Sequence, residues 1–482
     1  MLKHYHDRIR AASDREDGMT LIEVIVAMFI FSVISIGFIY GMIMVLSVSR
    51  DARATQVASN LASQEIDLAR AAEDLFAYGV GQSAVRPDQT INGDTFHTKI
   101  TAAWVSDPGL ALQCGNTASG AGAPLRYKRV DVMVTWDGMR SLSSAVHSYT
   151  IINPKERIND PALGTILVSV TTDLGIGVSG VTVTATPATP ANGAVALTTT
   201  PSATDAQGCS YVLKVVPGNY IVSVSKTNYL SSGGTSEDQK STPSVNPVVV
   251  TAGKSTSQNF IYDSQFNFGL TYASNSNAAG IRIPTNMDTS FLHVRGLSVS
   301  TATSNALTRT VSRFPFASGT YNIMAGTYVA PTAGDGATAA AAGCVAVNPT
   351  AWPQVVEGAV TYGPPASTVP GTTPGGSANV GVPMGVFTLV GAKNKYVKAV
   401  SQNASPACAN TMTYVFGLLP NTSAGDAASI ALPFGSWKLY TGSTAGTQTD
   451  AVAGNKMVPL TRGTSNAATN VILLDPRVPV TP

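Results

Sequence analysis

Charge, histidine and cysteine are all scarce in this sequence. Only 12% of its 482 residues are Asp, Glu, Lys or Arg, against roughly 25% in an average soluble chain. The net charge is +2 and no block of Lys or Arg occurs, so no nucleic-acid partner is expected. Five histidines are present, and His293 alone lies beyond residue 160, which removes most acid–base chemistry from the C-terminal two thirds. His97 and His147 read as isolated surface residues on separate strands rather than a metal pair. The cysteines, Cys114, Cys209, Cys344 and Cys408, are far apart and form no CxxC, so zinc and redox motifs have no support. There is no HExxH, no GxSxG and no spaced carboxylate pair in a known context. The stretch LPNTS at 419–423 lacks the final Gly and apolar tail of a sorting signal. Residues 164–172 contain no Lys for an isopeptide crosslink. The expectation is a chain that is not an enzyme and uses no cofactor and no metal.

What the sequence does have is one long apolar run. Residues 24–49 carry no charge and are mostly Ile, Val, Phe, Met and Leu. As a helix, 26 residues reach about 39 Å, enough for a hydrocarbon core of about 30 Å with some tilt. Lys3, Arg8, Arg10 and Arg15 precede it, while Arg50 and Arg53 follow it. That bias favours an N-terminus in the cytoplasm and the rest outside. A cleaved secretory signal would have a shorter apolar region and a small-residue cleavage site, and neither is present. A plain signal anchor fits the run but leaves Glu23 unexplained. A charge deep in a bilayer costs roughly 2.5–3.5 kcal/mol on insertion scales and calls for a partner.

The string Gly18-Met19-Thr20-Leu21-Ile22-Glu23 resembles the processing site of type IV prepilins and pseudopilins. In that family a short polar leader is cut after Gly by prepilin peptidase, the new N-terminal residue is methylated, and the fifth mature residue is Glu. The resemblance implies an 18-residue leader ending at Gly18, N-methylation of Met19 and an assembly role for Glu23. Met stands where Phe is commoner at the first mature position. Cleavage creates a cationic amine on Met19, spaced i, i+4 from Glu23 on one helix face. The family pairs that amine with the glutamate of a neighbouring subunit, which sets axial register and removes an uncompensated charge. Gly37 and Gly41 form a GxxxG, read either as a close helix-packing site or as chance in a membrane segment.

Beyond Arg50 the chain lacks Pro and Gly until Gly79. Val57, Leu61, Leu68 and Leu75, with Ala54 and Ala72, predict one apolar stripe opposite Arg53, Asn60, Asp67 and Asp74. Residues 94–104, 129–136 and 143–152 read as strands, with Asp137-Gly138 as a hairpin signal. The phrase YKRVDVMVTWDG resembles the sheet of V-type minor pilins and I-type pseudopilins.

Residues 154–161 read as a linker, and short strands follow at 165–170, 180–185, 210–215 and 220–225. An uncharged composition rich in Gly, Ala, Ser, Thr and Val suits β-structure. The stretch 204–229, with T-D-x-x-G before a strand and P-G-x-Y opening the next, resembles the carboxypeptidase-regulatory-like, or transthyretin-like, β-sandwich. Residues 246–263 supply a closing strand. GIGVSG at 175–180 matches GxGxxG literally, but a strand pattern follows it instead of the helix that dinucleotide binding needs. PGNYIVSV (217–224) has counterparts in ASGTYNIM (317–324) and PFGSWKLY (433–440), suggesting repeated sandwiches. Residues 330–343 and 363–376 read as loops.

The fold expected is therefore an α+β pilin module, a long N-terminal transmembrane helix packed on a small antiparallel sheet, followed by all-β sandwich domains. The divisions are a leader at 1–18, the filament-core helix at 19–49, and the helix continuation with its sheet at 50–155. A carboxypeptidase-regulatory-like sandwich at 160–263 and further β-rich structure at 264–482 follow, the latter split near 365–380. An even cysteine count in an exported chain favours disulfides, with three connectivities. Cys344 with Cys408 is favoured by their shared region, and buried free thiols are the alternative. The resemblance implies a minor pilin, low in copy and near the tip, with β-domains for adhesion or assembly initiation. Its partners would be other pilins, prepilin peptidase and the inner-membrane assembly platform. It would be single-pass in the cytoplasmic membrane before assembly and extracellular in the filament afterwards. The alternatives are a type II secretion pseudopilin and a membrane-anchored binding protein that never polymerises. The surface ligand is left open.

Overall fold

A computed structural model describes residues 20–105 except 74, 76–77 and 80–83, and 127–153 except 140 and 142–143. It further describes 160–330 except 234–237 and 241–246, and 344–480 except 366–370, 405, 407, 409–410 and 420–425. Two units are present, one formed by Met1–Trp104 with Arg126–Lys155 and the other by Val105–Leu125 with Glu156–Pro482.

The first unit is a single helix and a four-stranded sheet. Helix α1 (Leu21–Ala71) runs 51 residues without interruption, about 77 Å at 1.5 Å per residue. Strands β1 (Gln89–Ile91), β2 (Asp94–Val105), β3 (Tyr127–Trp136) and β4 (Val146–Ile152) lie in sequence order in the sheet. The turn from β1 to β2 is Asn92-Gly93, both at positive φ (53° and 87°), the geometry that two-residue hairpins require. This hairpin was absent from the sequence reading, although its Asn-Gly signal is plain. Asp137-Gly138 does turn the chain, yet β4 starts only at Val146, three residues later than expected.

The buried face of α1 is Ala54, Ala58, Leu61, Ala62, Glu65, Ile66 and Ala69. These follow the 3.6-residue period and include Ala54 and Leu61 of the expected stripe, with Val57 and Ala72 packed at its margin and Leu68 outside it. Leu68 is 47% exposed. Alanines dominate the inner face because short side chains let the helix axis approach the sheet closely, where Phe96, Ile100, Val130, Val132 and Val134 form one core with it. Glu65 sits inside that face. Arg86 closes on it with Nε 3.0 Å from both carboxylate oxygens and Nη2 2.9 Å from Oε2. The hydrogen bond to Glu65 holds the Arg86 guanidinium above its usual range. Tyr78 donates its hydroxyl to the Glu65 carbonyl oxygen at 3.1 Å, and burial raises its pKa. Strand parity also turns Lys128 inward beside Val130 and Val132. Its ammonium donates to the carbonyl oxygens of Leu75 and Tyr78, just beyond the helix end. A membrane-length helix is thereby tied to its sheet by two buried polar anchors.

The second unit holds two cores. Strands β5 (Gly164–Thr171), β6 (Thr182–Pro187), β7 (Cys209–Val215) and β8 (Gly218–Ser225) are joined by β9 (Tyr229–Ser231), β10 (Asp238–Lys240), β11 (Val248–Val250) and β12 (Ser255–Ser264). They form two sheets, β7-β5-β12-β9 and β10-β8-β11 with β6 also on β8. Val168, Val183, Val222, Phe260 and Tyr262 pack between them. The T-D-x-x-G turn is built by its own side chains. Asp205 Oδ1 accepts from the amides of Gln207 and Cys209 at 3.0 and 2.9 Å. Thr204 Oγ1 donates to the Val178 carbonyl at 2.6 Å and accepts from Val181 N at 2.9 Å. Gly208 has φ 76°, and a Cβ there would meet the Val170 carbonyl oxygen at 2.0 Å. GxGxxG at 175–180 ends in a bend that leads into strand β6.

The other core contains β13 (Phe266–Tyr272), β14 (Asp288–His293), β15 (Gly296–Thr301), β16 (Thr308–Arg313) and β17 (Asn322–Ala325). It continues through β18 (Val355–Glu357), β19 (Val360–Gly363), β20 (Ser377–Val382), β21 (Gly385–Val390) and β22 (Tyr396–Gln402). After β23 (Thr413–Phe416) and β24 (Ala427–Leu432) comes β25 (Gly435–Gly442), which pairs with β22. No division falls near 365–380. Buried residues from Phe266 to Leu474 form one cluster. β13 pairs in parallel with β20, from Asn267 with Ser377 to Tyr272 with Val382. Asn275 also exchanges hydrogen bonds of 3.0 and 2.9 Å with Met384. Strands from both sides of the expected boundary interleave, so neither half has a core of its own. Two of the three Gly-x-aromatic elements share a hydrogen bond, whereas in the third Tyr321 donates to the Phe314 carbonyl seven residues back. Tyr220 donates its hydroxyl to the Val216 carbonyl at 2.9 Å, and Trp437 donates Nε1 to the Pro433 carbonyl at 2.8 Å, each four residues back.

Cys344 and Cys408 are disulfide-bonded across 64 residues, which lie within this one core. Cys209 is also disulfide-bonded, and Cys114 lies outside the described residues.

Two stability outcomes follow. Replacing Cys344 and Cys408 together by Ala is expected to destabilise the second unit by about 2–4 kcal/mol, the range for closing a loop of this length. An unchanged denaturation midpoint would contradict it. Arg86→Ala strands a buried carboxylate and is expected to destabilise the first unit by about 2–4 kcal/mol, less than for a fully buried pair because Arg86 is partly exposed. Adding Glu65→Leu to that variant should recover most of the loss, read by chemical denaturation of both proteins.

Candidate functional site

The helix begins directly behind Thr20, whose backbone is extended (φ −71°, ψ 147°). The Thr20 carbonyl accepts from Glu23 N at 3.0 Å and Val24 N at 3.2 Å. Glu23 therefore lies in the first turn, where the unpaired amides of a helix start favour a negative charge. Among the described residues no donor approaches its carboxylate. Gly18 and Met19, the expected cleavage pair and methylation position, lie outside the described residues.

From Leu21 to Val48 the helix is bare. The large apolar side chains of this stretch that are exposed range from 40% at Val24 to 80% at Leu21. Two hydroxyl groups within it are satisfied internally: Ser32 donates to the Met28 carbonyl at 2.7 Å and Ser47 to that of Met44 at 2.8 Å, as suits apolar surroundings. Gly37 and Gly41 share one face, four residues apart. A Cβ at either position would meet nothing within 4 Å. Nothing in this chain's own fold requires glycine there, so a packing role for the pair needs a second helix.

Arg50 ends the bare stretch. Its Nε donates to Asp94 Oδ1 at 3.0 Å, and Nη2 forms an ion pair with the same oxygen. Asp94 opens β2, so the first cation after the apolar run fixes the start of the sheet to the helix. Sequence reading used Arg50 only as a flanking charge. The signal for more was present in an acid opening the next long strand. His97 stands between Asp88 and Asp137, at 2.8 and 3.2 Å, and the hydrogen bond to Asp88 chiefly raises its pKa. His147 lies 3.9 Å from Asp131. The predicted site residues thus fall into separate places: Glu23, Gly37 and Gly41 along the bare helix, and the described cysteines in the β-rich unit.

Helix α1 is long and apolar enough to cross a membrane. Residues 14–39 match the family model of the prokaryotic N-terminal methylation motif. Comparison with curated proteins finds no match. Among solved structures the chain is similar to the Bacillus anthracis TIE protein, at 9% identity, covering 79% of this chain and 73% of that one. The TM-score is 0.16, and that likeness carries no argument. The chain thus carries a prokaryotic N-terminal methylation motif at its start, one apolar helix behind it and a mostly β remainder, an arrangement that fits a type IV pilin or pseudopilin-like protein.

Proposed function

We propose that this chain is a minor pilin of a type IV pilus. Prepilin peptidase cuts between Gly18 and Met19, Met19 is N-methylated, and the helix passes from the cytoplasmic membrane into the filament core through the assembly platform. The observation that carries the reading is Glu23, an acid in the first turn of a helix whose apolar surface is bare for about eight turns. Inside one chain that carboxylate has no use. Between stacked helices it becomes the partner of a neighbour's terminal amine, and the match of residues 14–39 to the methylation motif supports this.

The bulk of the exterior supports low copy number. Residues 160–482 add two β-cores to a pilin-sized module, and a lattice repeating them at every subunit would be crowded. A place at or near the tip relieves that crowding and presents the β-rich unit outward. Its role there is to bind a surface or to initiate assembly, not to catalyse.

Glu23→Val is the discriminating substitution. Glu23 contacts nothing in the described fold, so the variant should insert in the membrane and melt as the parent does. Its incorporation into filaments should fall at least ten-fold, measured by immunoblot of sheared filaments against whole cells. A chain serving only as a membrane anchor would be unaffected, and normal incorporation of the variant would refute the proposal.

A further inference from the structure

Arg313 is a buried cation without a counter-ion. It is 3% exposed, and it lies inward because it shares strand parity with the buried Val311 on β16. Its guanidinium carbon lies 4.0 Å from the ring centroid of Phe291. Nη1 donates to the Ser312 carbonyl at 2.8 Å. Nε and Nη2, the opposite edge of the same plane, are shut from water and meet no acceptor. Among the described residues no carboxylate pairs with it. A charge held this way is strongly unfavourable to the folded state. Burial lowers its pKa to about 10, which still leaves it protonated at neutral pH.

Arg313 also borders open space, although its fork edge is itself shut from water, so a ligand there is met by a turn of the side chain. Arg313 forms part of the wall of two cavities, of about 510 and about 200 Å³. Arg309 lines the larger and Arg295 the smaller, and among the described residues no acid lines either. Arg309 is occupied, donating Nη2 to Ser300 Oγ at 2.5 Å and to the Thr301 carbonyl at 3.0 Å. Arg295 lies 3.5 Å from Asp173. Arg313 is the arginine of the three whose unused donor pair is buried. Nε and Nη2 present two parallel N–H groups, the fork that matches the two coplanar oxygens of a carboxylate. The smaller cavity adds the aromatic rings of Phe316 and Tyr321 and the hydroxyls of Ser232 and Ser298. Apolar faces with a few convergent polar groups are the usual make-up of a small-molecule site.

We propose that the smaller cavity binds a sugar acid, with Arg313 turning its fork edge toward the carboxylate and the aromatic wall meeting the sugar ring. The ligand is either the free acid or the end of an acidic glycan. The proposal does not rest on the pilin reading, since it concerns the β-rich unit alone.

The test uses the full chain in detergent micelles, with thermal melting and titration calorimetry. The probes are galacturonate, a galacturonate trisaccharide, galactose and inorganic phosphate. Galacturonate is expected to raise the melting temperature by several degrees, galactose and phosphate to leave it unchanged. Tighter binding of the trisaccharide than the monomer assigns the glycan end as the source, and the reverse assigns the free acid. Arg313→Met is expected to melt higher than the parent without ligand, because an unpaired buried charge is gone, and to bind galacturonate at least ten-fold more weakly. Arg313→Lys keeps the charge without the fork and should bind as weakly. Three results would each overturn the proposal: no response of the parent to galacturonate, an equal response to phosphate or galactose, or an Arg313→Met variant that melts lower than the parent.

Discussion

A carboxylate at the start of a bare apolar helix sets the terms for everything else in this molecule. Glu23 lies in the first turn of α1, with 28 residues of uncovered apolar surface starting around it. The apolar surface demands a covering, which a bilayer and a bundle of like helices both provide. The acid demands a cation, which a bilayer does not provide. Only an arrangement supplying both satisfies the segment completely. A stack of identical helices, each beginning with a free amine, is such an arrangement, and the spacing from Met19 to Glu23 converts the charge pair into a ruler for axial register.

The rest of the first unit makes a helix that is bare at one end compatible with a folded domain at the other. Between Arg50 and Ala54 the helix changes from uncovered to covered. The Arg50–Asp94 pair fixes that transition, the alanine face brings the sheet against the axis, and Glu65 with Arg86 and Lys128 with the post-helix carbonyls hold the far end. The long helix therefore runs without a break from its bare apolar stretch into the stretch covered by the sheet.

Much of this was legible in sequence because the signals were local. The apolar run, the processing motif, the alternating strands of 94–105 and 127–136 and the T-D-x-x-G turn each lie within a few residues. The parts that were not legible depend on distant partners. The inner face of α1 was legible at Ala54 and Leu61, yet close approach to the sheet also favours Ala58 and Ala62 and leaves Leu68 outside. The parallel pairings of β5 with β12 and of β13 with β20 join segments far apart in sequence, so the Gly- and Pro-rich stretch before β20 looks like a domain boundary although one core draws residues from both sides of it. Nothing local in the sequence marks Arg313; strand parity and the absence of a paired acid among the described residues set it apart. Of the proposed assembly site, Glu23 stood out as a charge beside an apolar run whose role the prepilin resemblance implied, and the glycine pair by its spacing, whereas the Arg50–Asp94 anchor required the sheet.

The most direct measurement is zero-length carbodiimide crosslinking of intact filaments grown from a mixture of isotopically light and heavy subunits, followed by peptide mass spectrometry. The account predicts a peptide in which the methylated amine of Met19 from one subunit is joined to the Glu23 carboxylate of another, seen as mixed light–heavy pairs. Recovery of the N-terminal peptide with residues 1–18 still attached, or of Glu23 joined to nothing from a neighbour, would contradict it.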